Sequence, residues 1–522
     1  MPGSALLKSP PRGRPRQIAE ESIPESPAAE ALRAAGNSST DNLLPTIMTP
    51  GRLVFPQERP GPNRTGSNPM DPNRLFPPIQ QRSRTGRSMR SERSARNHNG
   101  HRVTTGIQPE GESGRKGVHP IKMLPICWRS SSGVSQLCNL LWPAVPVAIG
   151  ISYTRADLHL AIFVLNYIAM IPCANMIGFA GQEMARKLHK VFGVLVETTL
   201  GSVVEIVMFM VLVINEEYQV IQAAILGSVL ATQLLCLGMC FVVGGLRHEE
   251  QEFDEEIGEI GSDLLLTAGF GLIVPTLFHA AVTSEGNATT EEIADKVLRI
   301  SRITSILLVV SYMIYVWFQM RTHQSIYDAI FEADEAKDAD RDEDLKKDKL
   351  TFSECVVALV ISISLVTVIA IRLVEEIEYL VEERGVSDSF VGLILVPLVE
   401  KFAEHLTAID EAWDNQMNLA LAHVLGATIQ TSLFNGPLVV LVGWGLNLPM
   451  DLNLSVFNMV VLILAILVVG NFLRDQKSNY LEGSLCVIVY INIATAAFFY
   501  PNPAPESEGI NQKKLLTSML GY

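Results

Sequence analysis

Eleven runs of mostly apolar residues constrain this chain more than any other feature of its sequence. Each run holds roughly 18 to 25 residues, enough for one helix to cross a hydrocarbon core about 30 Å thick. A soluble fold does not need so many runs of this length, so the sequence predicts an all-α membrane protein with about 11 transmembrane helices. The runs lie near 137–153, 157–178, 190–214, 219–244, 262–283, 299–319, 352–374, 388–410, 417–443, 452–472 and 480–500.

The predicted helices form one leading helix and two groups of five. The boundary between the two groups is a segment rich in Asp and Glu, and the residues before the first run are rich in Arg, Pro and Ser with few aromatics, a composition typical of disorder. We therefore predict six regions. They are a disordered arm (1–120), a leading transmembrane helix (121–156), a first repeat (157–325), an acidic linker (326–350), a second repeat (351–502) and a short tail (503–522).

The distribution of basic residues predicts the orientation of the chain. If the helices alternate in direction, the Arg-rich arm and most Lys and Arg residues between the runs fall on one side, which the positive-inside rule assigns to the cytosol. The N-terminus and the acidic linker are then cytosolic. The sequon Asn287-Ala288-Thr289 falls on the opposite side, where Asn287 is a candidate for glycosylation.

An internal repeat relates the two groups of helices. Aligning the chain with itself so that Glu205 falls on Glu404 needs no gap. Because five helices separate the two copies, one copy runs inverted relative to the other, the construction of many secondary transporters whose sites lie near the membrane midplane. The alignment pairs Gly193 with Gly392, Glu205 with Glu404, Ala223 with Ala422, Gly227 with Gly426, Leu234 with Leu433 and Gly244 with Gly443.

Ionisable residues interrupt the third and eighth runs. In the third run, Glu197 and Glu205 lie eight residues apart, about 80° around a helix, so both can face one cavity. Each charge at the centre of a membrane helix costs on the order of 3 kcal/mol, so such groups need pairing, water or a bound ion. In the eighth run, two turns hold Glu400, Lys401, Glu404 and His405.

These residues predict an exchange site for protons and cations. Burial disfavours the ionised form of a carboxyl group, so Glu205 and Glu404 can each hold a proton near neutral pH and exchange it for a cation. Neutral side-chain oxygens suited to a hard cation lie nearby. They belong to Ser202, Thr198, Thr428, Gln430, Thr431, Gln222 and Gln233. Four glycines permit either close helix contact or local unwinding. They are Gly193, Gly201, Gly227 and Gly426.

Other interpretations of the same residues stay open. Glu400 with Lys401 or Glu404 can form purely structural pairs, and for His405 a structural role is as good an explanation as transport. The acidic runs between helices lack the spacing of an EF-hand loop and are typical of solvated linkers. An intramembrane hydrolase is disfavoured, since the sequence has no His-Glu-x-x-His helix and no Gly-x-Ser-x-Gly elbow. A membrane sensor that does not transport remains possible.

At these residues the chain resembles the calcium/cation antiporter superfamily, and in particular its CAX branch of cation/proton exchangers. The resemblance covers about residues 120–500. It rests on the stretch from Gly193 to Glu205, on Phe390-Val391-Gly392-Leu393-Ile394 through Glu404-His405, and on the following helices around Gly227 and Gly426. The resemblance implies a secondary antiporter that works by alternating access, without a cofactor or a nucleic-acid partner, in contact with membrane lipid. It leaves the oligomeric state open.

Departures from that pattern point to one part of the superfamily. The usual Gly-Asn before each signature acid is Gly201-Ser202 in the first repeat and Glu400-Lys401 in the second, and the usual Asn at position 197 is Glu197. With the stretch 407–416, this pattern is similar to the fungal low-affinity vacuolar monovalent cation/proton antiporters. The resemblance implies exchange of Na⁺ or K⁺ for lumenal protons across the vacuolar membrane. Because those antiporters have a longer N-terminal portion, we expect this chain to begin short of theirs.

Charge gives partial support for a monovalent cation. Lys401 beside the acids removes one unit of negative charge and repels a divalent ion more strongly than a monovalent one, whereas the extra acids Glu197 and Glu400 act in the opposite direction. Calcium/proton exchange on the same scaffold is therefore the alternative. The partners expected from the sequence are the transported cations and protons, with no metal other than the transported ion.

Overall fold

Membrane-length helices account for most of the structure, a computed structural model that describes residues 103–104, 107–285, 289–338 and 341–502. Among these described residues, ten helices are long and apolar enough to cross a membrane, and residues 388–413 form an eleventh helical segment. The prediction of an all-α membrane protein is confirmed. In chain order the segments are α1 (Gly133–Thr154), α2 (His159–Ala185), α3 (Lys190–Ile214), α4 (Tyr218–Arg247), α5 (Glu255–Ser284), α6 (Thr290–Thr322), α7 (Phe352–Glu382), α8 (388–413), α9 (Met417–Gly445), α10 (Val456–Asp475) and α11 (Tyr480–Phe498).

Helix α8 differs from the other ten because it carries the charged cluster. It consists of Asp388–Phe390, a π-helical turn at Val391–Leu395, and the helices Val396–Glu400 and Phe402–Trp413, which are separated at Lys401. A segment with this density of charge is not stable in lipid by itself. Its charged side chains therefore need partners from the surrounding helices.

Shorter elements cover the ends of the membrane helices on the side where the linker (326–350) joins α6 to α7, which is called the linker side. A helix at Pro120–Arg129 precedes α1, and the predicted linker contains helices at Gln324–Glu335 and Arg341–Lys346. The two short strands pair antiparallel, Gln251 opposite Ser478 and Glu252 opposite Lys477. The predicted leading helix 121–156 is therefore not continuous: Ser130, with φ of 59°, separates Pro120–Arg129 from α1.

The backbone itself repeats in the register that places Glu205 on Glu404. Helix α3 is interrupted at Ser202, between Lys190–Gly201 and Val203–Ile214, and α8 is interrupted at Lys401. Positive φ angles occur at Glu216 (62°) and Asn415 (63°). The π-helical turns also correspond, at Ala231–Cys236 in α4 and Thr431–Asn435 in α9. Matching irregularities in one register support the repeat that the residue identities indicate.

The two repeats meet through these irregular helices. Helix α4 packs against the first half of α8, and α9 packs against α3, so each copy covers the charged helix of the other. The glycines allow this approach: a Cβ on Gly227 would overlap the carbonyl of Leu393, and one on Gly392 would overlap the carbonyl of Val220. The interface between the repeats therefore contains α3 and α8, the helices that carry the acids.

Residues 107–119, which fall within the predicted disordered arm, contact the linker and the adjacent helix ends. Lys187 Nζ donates to the carbonyls of Gly111 (2.7 Å) and Leu350 (2.6 Å), and Arg115 pairs with Glu354 at 3.2 Å. The predictions for the preceding arm, for Asn287 and for the C-terminal tail concern segments outside the described residues and stay predictions.

Candidate functional site

The helix interruptions place the two equivalent acids at comparable positions. Glu205 lies in the first turn of Val203–Ile214, and Glu404 lies in the first turn of Phe402–Trp413. The N-terminal end of a helix carries partial positive charge, which stabilises an anion placed there. Glu205 is fully buried, and the side chain of Glu404 is 12% exposed. The two residues that the sequence alignment pairs thus occupy equivalent positions in the structure.

The ammonium of Lys401 lies between the two acids. Its Nζ is 2.7 Å from Glu205 Oε2 and 3.0 Å from Glu404 Oε2, and the lysine side chain is fully buried. A buried charge requires pairing of this kind. The sequence suggests that Glu400 pairs with Lys401 or Glu404, but in the described residues Lys401 pairs with Glu205 and Glu404 instead.

Helix α9 satisfies the remaining oxygens of Glu205. Thr431 Oγ1 lies 2.8 Å and 2.9 Å from its two carboxylate oxygens, and Asn435 Nδ2 donates to Oε2 at 2.7 Å. A carboxylate that accepts several hydrogen bonds is held in one position. Glu205 is therefore the fixed acid of the site.

Glu400 and Glu404 each have one carboxylate oxygen that makes no hydrogen bond to the described residues. Ser228 donates to Glu400 Oε1, whereas Glu400 Oε2 and Glu404 Oε1 are buried and have no hydrogen-bond partner among the described residues. Buried polar atoms are nearly always satisfied in proteins, and exceptions often mark functional positions. These two oxygens are the best candidates in the site for holding a proton or contacting a cation.

The predicted neutral oxygens differ in their availability. The hydroxyls of Thr198 and Thr428 donate to the carbonyls of Val194 (3.0 Å) and Val424 (2.7 Å), one turn earlier in their own helices. This geometry is common for Thr within a membrane helix. The two side chains thus satisfy their own donors within the helix.

A hydrogen bond between the side chains of Gln430 and Ser202 connects the two repeats. Gln430 Nε2 donates to Ser202 Oγ at 2.7 Å, while Gln430 Oε1 is buried without a partner in the part of the chain that the structure describes. Gln222 donates instead to Asp451, in the loop after α9, at 2.7 Å. Of the predicted oxygens, Ser202 and Gln430 therefore connect the interruption of α3 with α9.

The side chains of two predicted ionisable residues contact groups other than Lys401. His405 is buried, and its Nε2 is 3.5 Å from Thr232. Glu197 Oε2 lies 3.7 Å from Nε2 of His423. Glu197 lies in Lys190–Gly201 and Glu205 in Val203–Ile214, on opposite sides of the interruption at Ser202. Glu197 and Glu205 therefore have different partners.

Helix contact explains three of the four predicted glycines. A Cβ on Gly193 would lie 2.9 Å from the carbonyl oxygen of Ala185, and one on Gly201 would lie 2.8 Å from Glu404 Oε1, in addition to the overlap at Gly227. At Gly426 the nearest atom would be 3.9 Å away, a normal contact. Gly201 thus provides the space that the Glu404 carboxylate occupies.

Four residues of this region were not identified from the sequence as site residues. Asn435 donates a hydrogen bond to Glu205, and Ser228 donates one to Glu400. The other two are His423 and Glu411, whose Nδ1 and Oε2 atoms lie 2.7 Å apart. The available signal was their position, since Ser228, His423 and Asn435 interrupt apolar runs in the helices that follow each signature acid. Which of these polar residues contact the acids depends on the packing of the two repeats.

A water-accessible vestibule leads toward the site from the linker side. It is a cavity of about 540 Å³ whose wall includes Glu110, Glu197, Glu411 and His423. Burial of Glu110, in the wall of the vestibule, raises the pKa of its carboxyl group. The hydrogen bond and the charge of Lys190 lower that pKa by more than burial raises it, so the pKa lies below its usual value. The vestibule wall carries charges of both signs, because basic residues such as Arg186 and Lys190 line it together with the acids.

The vestibule approaches Glu404 through a much smaller cavity. This second cavity measures about 20 Å³, and Glu197, His423 and Glu404 line it. Because Glu197 and His423 also line the vestibule, the two cavities share a wall. Within the described residues no three His, Cys, Asp or Glu side chains are grouped so as to hold a metal ion.

Substitution of Gly201 tests this arrangement. We expect Gly201→Ala to displace the Glu404 carboxylate, since the added methyl would lie 2.8 Å from Oε1 and 2.9 Å from Cγ, and to reduce transport about 10-fold or more, because displacements near 1 Å at a reacting centre have effects of this size. Gly426→Ala, with its nearest contact at 3.9 Å, is the matched control. Equal transport by the two purified variants would contradict the assignment.

The fold and site together define a secondary transporter with a buried carboxylate site between two repeats. A family model described as sodium/calcium exchanger protein matches residues 158–321 and 355–499, more than half of the chain. The chain belongs to the sodium/calcium exchanger protein family.

Individual relatives agree with this membership. A vacuolar cation/proton exchanger 5 of Arabidopsis thaliana is 32% identical over 71% of this chain and 82% of its own length. A vacuolar calcium ion transporter of Cryptococcus neoformans is 28% identical over 88% of this chain and 89% of its own. The solved structure of the Ca²⁺/H⁺ antiporter protein YfkE shares the fold, with a TM-score of 0.55 and 23% identity, and the match covers 69% of this chain and 100% of that one.

Proposed function

We propose that this chain is a secondary antiporter that exchanges a monovalent cation, Na⁺ or K⁺, for a proton. Family membership supports exchange of cations, and the name of the Arabidopsis relative supports the proton as the exchanged ion. The observation that carries the choice of cation is the ammonium of Lys401 between Glu205 and Glu404.

The net charge of Glu205, Lys401 and Glu404 determines which charge of cation the site accepts. With both acids ionised, two negative charges and one positive charge leave these three side chains with a net charge of −1. One proton or one monovalent cation neutralises this group, whereas a divalent cation leaves an excess positive charge in a site without bulk water. In a low-dielectric interior such an excess charge costs several kcal/mol. Lys401 therefore favours ions of charge +1.

The exchange itself follows from competition for the unused oxygen of Glu404. When Oε1 is protonated, the group formed by Glu205, Lys401 and Glu404 is neutral, and the same neutrality results when a cation replaces the proton. The two neutral forms can then reorient between the two sides, as inverted repeats permit, while the form with a net charge of −1 is less stable at the midplane. This preference couples the two ions to each other.

The proposed location is the vacuolar membrane, with the N-terminus and the vestibule on the cytosolic side. The names of the fungal and plant relatives support the vacuole, and the basic residues near the helix ends support the orientation. Cations would enter the vestibule from the cytosol, and the acidic lumen would supply the protons.

Calcium/proton exchange is the second candidate. The Cryptococcus relative is named a vacuolar calcium ion transporter, and Glu400, whose Oε2 is buried without a partner among the described residues, can supply a further charge. If Glu400 is also ionised, three negative charges and one positive charge give −2, which balances a divalent cation. The two candidates thus differ in the charge of Glu400 during transport.

A comparison of salts distinguishes the candidates. The purified full chain is reconstituted in vesicles with an acidic interior and an internal pH dye, and NaCl, KCl or CaCl₂ is added outside. We expect NaCl and KCl to release the internal protons and CaCl₂ to release far fewer. Vesicles without protein measure the leak. A response to CaCl₂ alone would reject monovalent exchange, and no response to any salt would reject antiport.

A further inference from the structure

A buried histidine with two acidic neighbours lies between the vestibule and the exchange site. His423 of α9 has a side chain that is 9% exposed, and its Nδ1 is 2.7 Å from Glu411 Oε2. Its other ring nitrogen, Nε2, faces Glu197 Oε2 at 3.7 Å and has no hydrogen-bond partner among the described residues. One ring nitrogen is thus fixed and the other is available.

The cavities connect this histidine to both sides of the proposed path. His423 and Glu197 line the vestibule, and the same two residues line the small cavity that reaches Glu404. A volume of about 20 Å³ has room for about one water molecule. A water molecule there would lie among Glu404, Glu197 and His423, the arrangement needed to transfer a proton over a short distance.

We propose that His423, oriented by Glu411 and facing Glu197, carries protons between Glu404 and the vestibule. This inference rests on the proposed function, because it presumes that protons are exchanged. It adds a proton-transfer group, formed by Glu197, His423 and Glu411, to the exchange site at Glu205, Lys401 and Glu404. A cation that crosses the same small cavity reaches Glu404 without any proton transfer by the imidazole.

The transfer is balanced at each step. Neutral His423 holds its proton on Nδ1, which donates to Glu411. Protonated Glu404 transfers its proton through one water molecule to Nε2, which leaves Glu404 ionised and His423 as an imidazolium. The imidazolium then transfers the Nε2 proton to the carboxylate of Glu197, which releases it to water in the vestibule. His423 returns to its neutral form, and protons from the vestibule follow the reverse path.

The charged groups around His423 favour transient protonation. Carboxylates face it from three directions: Glu197 on α3, and Glu411 and Glu404 on α8. The linker helix Gln324–Glu335 contributes buried Asp334, which accepts hydrogen bonds from Asn418 (3.1 Å) and the backbone of Leu419 (3.1 Å) and is paired with Lys337 at 2.8 Å. Lys401 is the basic group on the site side of Glu404. An imidazolium in these surroundings is stabilised by the neighbouring acids.

Two flux measurements test this role in the full-length chain reconstituted in vesicles. The first is proton release driven by the cation that is active with wild-type protein. The second is exchange of the isotope of that cation against the same cation at equal pH, which requires no net proton transfer. We expect His423→Gln to reduce proton release about 10-fold or more, in line with the loss of a proton-transfer group, and to leave isotope exchange within about 2-fold of wild type. Glu411→Gln is expected to give a smaller reduction of the same kind.

A second His–Glu pair provides the matched control. His159 Nδ1 lies 2.8 Å from Glu376 Oε2, a similar geometry outside the vestibule and the site, so His159→Gln is expected to change neither flux. Equal losses of both fluxes in His423→Gln, or wild-type proton release, would overturn the proposed relay. Absence of proton release by wild-type protein would instead reject the proposed function. Retained isotope exchange shows that the variant is folded, and Glu411→Gln gives an independent test if His423→Gln does not fold.

Discussion

Replacing Glu205 with glutamine is expected to abolish cation-driven proton transport, with a loss of about 100-fold or more. The substitution preserves size but removes the charge that pairs with Lys401 at 2.7 Å. Lys401 and Glu404 then form a neutral group in the absence of any transported ion, so neither a proton nor a cation is needed to neutralise the site. The measurement is salt-driven release of protons from acidified vesicles.

The control for Glu205→Gln is the same substitution at an acid outside the site. Glu376→Gln changes a carboxylate whose side chain is 11% exposed and which pairs with His159, and it should transport at the wild-type rate. Thermal unfolding of both purified variants checks that the chain is folded. Transport by Glu205→Gln at a rate near wild type would show that this carboxylate is not part of the exchange site.

The long helices and the equivalent acids were predictable because their signals are local or periodic. An apolar run of membrane length has few alternatives to a helix, and the internal alignment pairs Glu205 with Glu404 from residue identities alone. The structure adds that Ser202 and Lys401, which the same alignment pairs, interrupt α3 and α8. The residue types alone did not predict these interruptions, since Ser and Lys are both compatible with a continuous helix.

Two partners of the acids, Asn435 and Ser228, were not predictable, because they come from distant parts of the chain. Asn435 is 230 residues from Glu205, and Ser228 is 172 residues from Glu400. Contacts of this kind depend on the packing of α4 and α9 against the other repeat, which residue spacing within one helix does not determine.

Replacing Lys401 with asparagine is expected to change which cation the site accepts. Removing one partner of a buried ion pair costs roughly 3–5 kcal/mol, so the variant should unfold at a lower temperature than the wild type. The charge of the site with Glu205 and Glu404 ionised changes from −1 to −2, which a divalent cation balances. We expect transport driven by NaCl and KCl to fall about 10-fold or more and the response to CaCl₂ to increase relative to them.

Lys401→Arg provides the matched control for this prediction, since it retains the positive charge between the two carboxylates. If charge determines selectivity, Lys401→Arg keeps the preference for monovalent cations even where its larger side chain reduces the rate. The double variant Glu400→Gly with Lys401→Asn removes both charges that depart from the usual Gly-Asn pair and should respond to calcium more than the wild type does. An unchanged ratio of sodium-driven to calcium-driven transport in Lys401→Asn would show that Lys401 has a structural role and that other atoms of the site select the cation.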